Sequence, residues 1–237
     1  MHEPAERGVP VSGPAHAIVD KALASLWQAA NALSRLEPAE PPAYRVTIFG
    51  SARLEAQHPL YADVRHLARE LAARGCDIVT GGGPGLMQAA NEGAMEGDPD
   101  DRVRSIGLRV ELPFEQGANP FVEDLYDHQT FFSRLHQFVR LSNAFVVVGG
   151  GIGTLLETAL VWQLLQVGHA TNVPLVLVGP MWRALVGWAR AHMLASEPPL
   201  ASPPDLDIPV CVEDAAEALA HLDPFLRAHA DARAPRG

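Results

Sequence analysis

Two glycine runs, one arginine and one carboxylate carry the chemistry that can be read in this chain of 237 residues. Gly149-Gly150-Gly151-Ile152-Gly153-Thr154 reads as the turn from a strand into a helix, and Glu157 follows Thr154 by three residues. Glycines permit positive φ and let several backbone N–H groups crowd one anion. The helix that follows adds the positive end of its dipole. A phosphate is the natural guest, and Thr154 can donate a hydroxyl hydrogen bond to it. Gly150, Gly151, Ile152, Gly153 and Thr154 are therefore candidate binding residues. The plainer reading is a tight strand–helix turn that holds nothing.

Glu157 also has two readings. Thr-x-x-Glu is the pattern of a capping box, with Thr154 as N-cap. Alternatively, Glu157 projects from the first helical turn beside the anion, where a carboxylate stabilises a cationic sugar centre or activates water. Arg134 lies on the preceding predicted helix, which parallel α/β geometry can bring near the loop. Its alternative is a surface arginine or a structural ion pair.

The other glycine run, Gly81-Gly82-Gly83-Pro84-Gly85-Leu86-Met87, also joins a strand to a helix. It lacks the GxGxxG register of dinucleotide sites, and no acidic residue ends a second strand at the expected distance. Gly82 and Gly83 are expected to shape a pocket floor, with Met87 packing on a base or simply filling core. In Leu112-Pro113-Phe114-Glu115-Gln116-Gly117, Glu115 is a candidate for ribose hydroxyls or a solvated turn carboxylate. The ten histidines are scattered without metal-ligand spacing. His136 and Arg140 read as surface residues.

Composition removes several classes. Lys21 is the sole lysine; the rest of the 18 basic residues are arginines. A Walker loop needs a lysine directly after its glycines, and a pyridoxal-phosphate enzyme needs one in its site. A net charge of −10 disfavours a nucleic-acid partner. Cys76 and Cys211 form neither a CxxC pair nor a zinc motif. No stretch has the length of a membrane span, and the N-terminus does not read as a signal peptide, so the expected location is the cytoplasm.

These motifs must be held by elements, and the pattern supplies them. Residues 1–14 read as a disordered tail, and 15–43 as an amphipathic helix with a Pro-rich linker. A catalytic domain is expected over 44–223 and a tail over 224–237. Within the domain, strands are predicted at Tyr44–Gly50, Asp77–Thr80, Arg104–Val110, Ala144–Val148, Pro174–Val178 and Ile208–Val212. Helices are predicted at Pro59–Arg74, Gly85–Met95, Thr130–Leu141, Gly153–Val167, Met181–Ala195 and Asp214–His221. Apolar strands alternating with helices imply an α/β, Rossmann-like, doubly wound parallel sheet with helices on both faces. Ligands in such sheets bind beyond the carboxyl ends of the strands, where both glycine runs fall.

Taken together, these segments resemble the Lonely Guy (LOG) family of nucleoside 5'-monophosphate phosphoribohydrolases, many of which carry the older label "lysine decarboxylase". The family signature is PGGxGTxxE with an Arg-Lys pair upstream. It is matched by Gly149–Glu157 and by Arg134, GGGPGLM at 81–87 matches the first glycine loop, and FGSAR at 49–53 matches the first strand–loop. The resemblance covers about residues 44–190. It implies hydrolysis of the base–ribose bond of a purine nucleotide, AMP-like or a cytokinin precursor, with Arg134 and Glu157 as the catalytic pair. Ser51, Gly82, Gly83, Met87, Glu115 and Gly150–Thr154 would contact the nucleotide. No metal or organic cofactor is implied, and a homodimer is. Leu135 stands at the family's lysine, Gly149 at its proline, and Gln163 where many members have a substrate-contacting threonine. The alternative is a non-catalytic nucleotide or molybdenum-cofactor carrier of the same fold.

Overall fold

The computed structural model describes residues 43–110 and 117–233, together with Ile18, Val19, Lys21 and Ser25, which are helical. The expected tail at 1–14, most of the 15–43 segment, and Glu115 with its neighbours at 111–116 lie outside the described residues.

Seven strands form one parallel sheet. They are β1 (Tyr44–Phe49), β2 (Cys76–Thr80), β3 (Ser105–Val110), β4 (Asp124–His128), β5 (Ala144–Val147), β6 (Leu175–Val178) and β7 (Pro209–Val212). Their spatial order is β4-β3-β2-β1-β5-β6-β7. β5 and β6 are continuous apolar runs, and β1 and β2 are buried almost throughout, because both faces of the sheet are covered. On one face pack α1 (Pro59–Ala73), α2 (Leu86–Gly97) and α7 (Ala215–Arg233), burying Val46, Ile48, Leu67, Leu71, Ile78, Val146 and Leu222. On the other pack α3 (Phe131–Leu141), α4 (Ile152–Gln166) and α5 (Pro180–Ala189), burying Phe49, Val79, Leu108, Phe138, Phe145, Leu177 and Trp182.

The chain enters at the centre, winds outward to β4, then returns to lay β5 beside β1. The loops leaving these two neighbours therefore diverge to opposite faces, which opens a crevice at the carboxyl end of the sheet.

Three features differ from the sequence reading. β4 was not predicted. It is an edge strand with Leu125, Tyr126 and Asp127 exposed, so it shows no apolar run. The last helix continues through Pro224 to Arg233, carrying a buried Leu226 into the region expected to be tail. After Ala189 the predicted long helix becomes a π-helical turn, Arg190–Leu194, and a short helix α6 (Pro203–Asp207) follows, started by a capping box of Ser202 and Asp205.

Candidate active site

Three turns meet at the crevice. Ser51 donates its backbone N–H to the Gly149 carbonyl at 3.0 Å and accepts the Leu86 N–H at 2.9 Å. The turn after β1 thus joins the second glycine loop to the start of α2. Gly85 carries the junction at φ +70°, and a Cβ there would lie 2.5 Å from the Ser51 carbonyl oxygen. No residue with a side chain fits both the torsion and the space.

The second glycine loop runs straight into α4. Gly151 is the N-cap and makes no side-chain cap hydrogen bond. Thr154 is therefore the third helical residue rather than the cap, and the capping-box reading of Thr154 and Glu157 does not hold. Thr158 donates its hydroxyl to the Thr154 carbonyl at 2.7 Å. A Cβ on Gly150 would run into the Thr154 side chain, so this turn closes tightly against its own helix. The helix start is left with uncapped N–H groups and a positive dipole end at the crevice.

Glu157, one turn further in, accepts a hydrogen bond from Arg134 Nη2 at 2.7 Å. Both side chains are about nine-tenths buried, at 12% and 11% exposure. Burial pushes the Glu157 carboxyl up to about 7, and the Arg134 guanidinium pulls it back only in part. Arg134 is held by its own helix: its guanidinium carbon lies 5.4 Å from the Phe131 ring centroid and 5.8 Å from that of Phe138. Its Nε is buried with no hydrogen-bond partner. One arm of the guanidinium thus holds the carboxylate while the inner nitrogen is sealed from solvent.

The first glycine loop lies alongside. A Cβ on Gly81 would come within 2.7 Å of Met87 Sδ and 3.7 Å of Arg134 Nη1. Met87 folds back over the loop, with its Cε beside Gly83. The Gly82 N–H is donated to Thr80 Oγ1 at 3.0 Å, so this glycine contributes shape and not a free donor. Beneath it runs a buried polar network that sequence reasoning missed. Asn119 donates its N–H to the Gly82 carbonyl at 2.8 Å, and its Nδ2 to Gly83 O and Asn91 Oδ1 at 3.0 Å each. Thr80 donates to Asn91 Oδ1 at 2.7 Å, and Asn91 donates to Ser105 Oγ at 2.9 Å. Isolated polar residues in unrelated segments carry no sequence signal that they will meet.

The remaining candidates fall elsewhere. Leu135 is buried. His136 and Arg140 are exposed. Gln163 bonds Gln166 and lines a mainly apolar cavity of about 340 Å3 between α4 and α5, with Leu155, Trp162 and Trp188, away from the Arg134–Glu157 pair. Among the described residues no cluster of His, Cys, Asp or Glu could hold a metal ion.

Residues 87–222 match the family described as "Possible lysine decarboxylase", the older label of the LOG family. The chain belongs to this family. A curated relative, the pyrimidine/purine nucleotide 5'-monophosphate nucleosidase of Escherichia coli (strain K12), is 32% identical over 141 residues. The match takes in 57% of this chain but 31% of that protein, so the chain spans about a third of the length of the curated relative. The fold is shared with the molybdenum cofactor carrier protein of Chlamydomonas reinhardtii, at TM-score 0.57 and 20% identity over 78% of this chain and 99% of that one. It is shared also with the molybdenum cofactor binding protein of Rippkaea orientalis, at TM-score 0.57 and 17% identity over 78% and 98%. The LOG-family match takes in Met87, Arg134 and the whole second glycine loop with Glu157. It leaves out Lys21, the sole lysine.

Proposed function

We propose that this chain binds a nucleoside 5'-monophosphate across its two glycine loops and hydrolyses the base–ribose bond, releasing free base and ribose 5-phosphate. The observation that carries this reading is the buried Arg134–Glu157 pair set one helical turn behind an uncapped helix start. The nucleotide nucleosidase relative supports the same reaction class.

Cleavage of an N-glycosidic bond passes through an oxocarbenium-like state, with positive charge on C1' and the ring oxygen. The N–H groups and hydroxyl of Gly150–Thr154 would anchor the phosphate, with Ser51 beside them. That anchor sets the ribose against Glu157, whose carboxylate offsets the developing charge and orients water. Arg134 holds Glu157 and keeps it and the sugar phosphate in register. The C1'–N bond breaks, water oxygen bonds C1', and the water's proton leaves with the base. Gly82, Gly83 and Met87 form the floor under the base, and Glu115 is the residue that the family resemblance assigns to the ribose hydroxyls. The base is a purine, plain adenine or an N6-prenylated cytokinin. No residue of this scheme requires a metal or organic cofactor.

A homodimer is part of the proposal. Ile152, Leu156 and Trp188 are half or more exposed on the α4 and α5 surface, which favours burial against a second copy. Sedimentation at micromolar concentration checks this.

The competing reading is a carrier of nucleotide or molybdenum cofactor, which has likeness of fold behind it. The ion pair argues against it, because a carrier has no need of a buried carboxylate facing an anion. Lysine decarboxylation through a Schiff base lacks any lysine in the matched region. The deciding experiment is a panel of nucleoside monophosphates assayed for released base by chromatography. Release of base supports hydrolysis. A bound pterin with no base released from any nucleotide supports the carrier.

A further inference from the structure

The site as described has a charge deficit. A phosphate monoester carries about −1.5 to −2 at pH 7. Among the described residues the one cation placed beside it, Arg134, is already paired with Glu157. Leu135, next along α3, is buried and apolar. Backbone amides and a helix dipole supply only partial charges.

The arginines show where a further charge is available. Most of those described are paired with a carboxylate, as expected in a chain of net charge −10. Among the described residues, Arg53, Arg140 and Arg233 have no carboxylate partner. Arg140 ends α3 and Arg233 ends α7, both at the amino end of the strands, opposite the crevice. Arg53 alone of the three stands at the carboxyl end, in the turn that leaves β1. That turn is pinned on both sides, by the Ser51 N–H to Gly149 and by the Leu86 N–H to Ser51. Arg53 also donates its own N–H to Ser51 Oγ at 3.1 Å, which occupies that oxygen as an acceptor and leaves its hydroxyl proton to donate outward. The side chain is exposed, and Glu55 two residues on makes no ion pair with it.

We propose that Arg53 is the second cation of the site: its guanidinium closes over the phosphate of a bound nucleoside 5'-monophosphate from the β1 side, opposite the second glycine loop. The inference rests on the function proposed above. It assigns Arg53 to phosphate affinity and not to bond cleavage. A guanidinium suits the task because its planar donors engage two phosphate oxygens at once.

Arg53 is exposed and can be replaced without disturbing the core. The test measures KM and kcat for a nucleoside 5'-monophosphate, and inhibition by ribose 5-phosphate, in the wild type, R53A and R53K. R53A is expected to raise KM and the ribose 5-phosphate inhibition constant together by about 10-fold, the loss of one charge-assisted contact. Its kcat should change little, and R53K should recover part of the affinity. Unchanged KM and inhibition constant in R53A overturn the proposal. If the wild type releases no base from any nucleotide, the hydrolase reading fails by itself, and Arg53 is then judged by calorimetric titration with ribose 5-phosphate. A tenfold weaker fit in R53A than in the wild type upholds its role. Equal binding, or no binding to the wild type, overturns it.

Discussion

Arg134 and Glu157, 23 residues apart on successive helices, meet through a 2.7 Å hydrogen bond behind the start of α4. β5 and its glycine turn separate them in sequence, and the crossover of the chain from one side of β5 to the other brings them together. Each residue holds the other: the arginine keeps the carboxylate from swinging out, and the carboxylate fixes which arm of the guanidinium is left to act.

Removing either partner should abolish most turnover. Arg134→Ala and Glu157→Ala are each expected to lower kcat at least ~100-fold, the scale of losing transition-state electrostatics. Base release from AMP, followed by chromatography, checks this. Full activity in both variants would remove the pair from the mechanism.

The carboxyl pushed up to about 7 sets a pH dependence. If the ionised form is the working one, kcat/KM should rise with pH through about 7 and level off above it. A bound phosphate is a second negative charge and raises the carboxyl further, so the midpoint of kcat should lie above that of kcat/KM. A profile that falls over this range would make the protonated carboxyl the working form.

The same group acts on stability, and the sign follows from its direction of shift. Glu157 is raised in the folded state, from 4.5 to about 7. Between those values the folded chain holds a proton that the unfolded chain has released. Its favourable contribution is complete below the unfolded value and disappears as pH rises through the folded one. The Tm of the wild type should therefore fall relative to that of E157Q as pH climbs from about 5 to about 8. Parallel Tm curves for the two proteins across that range would contradict the burial effect.

Gly85→Ala should cost stability as well as function. Its φ of +70° and the 2.5 Å approach to the Ser51 carbonyl leave no place for a methyl group. A loss of about 1–3 kcal/mol is expected from denaturant titration, with weaker ribose 5-phosphate binding because the turn that carries Ser51 must shift. Gly151→Ala, where nothing lies within 4 Å of the added carbon, is the matched control and should fold as the wild type does.

Asn119→Ala tests the buried network under the first glycine loop. It removes both Nδ2 bonds and leaves Asn91 Oδ1 and the Gly83 carbonyl short of a donor. The cost should be about 1–3 kcal/mol in unfolding free energy. An unchanged Tm would mean that the loop is held by its backbone contacts alone.

The amino-acid sequence by itself determined the α/β class and six of the seven strands, because a sheet covered on both faces must write its strands as mainly apolar stretches between helical patterns. It also marked the two glycine loops, since crowded turns admit few other residues, and it marked Arg134 and Glu157 as types able to do the chemistry. Only the tertiary structure decided between the readings it left open. Thr154 and Glu157 fit a capping box locally, but α4 starts at Ile152, and the carboxylate turns to Arg134 because an unpaired charge could not stay buried there. β4 stayed hidden because an exposed edge strand has no apolar signature. The Thr80–Asn91–Asn119–Ser105 network stayed hidden because hydrogen bonds between distant segments leave no periodicity along the chain.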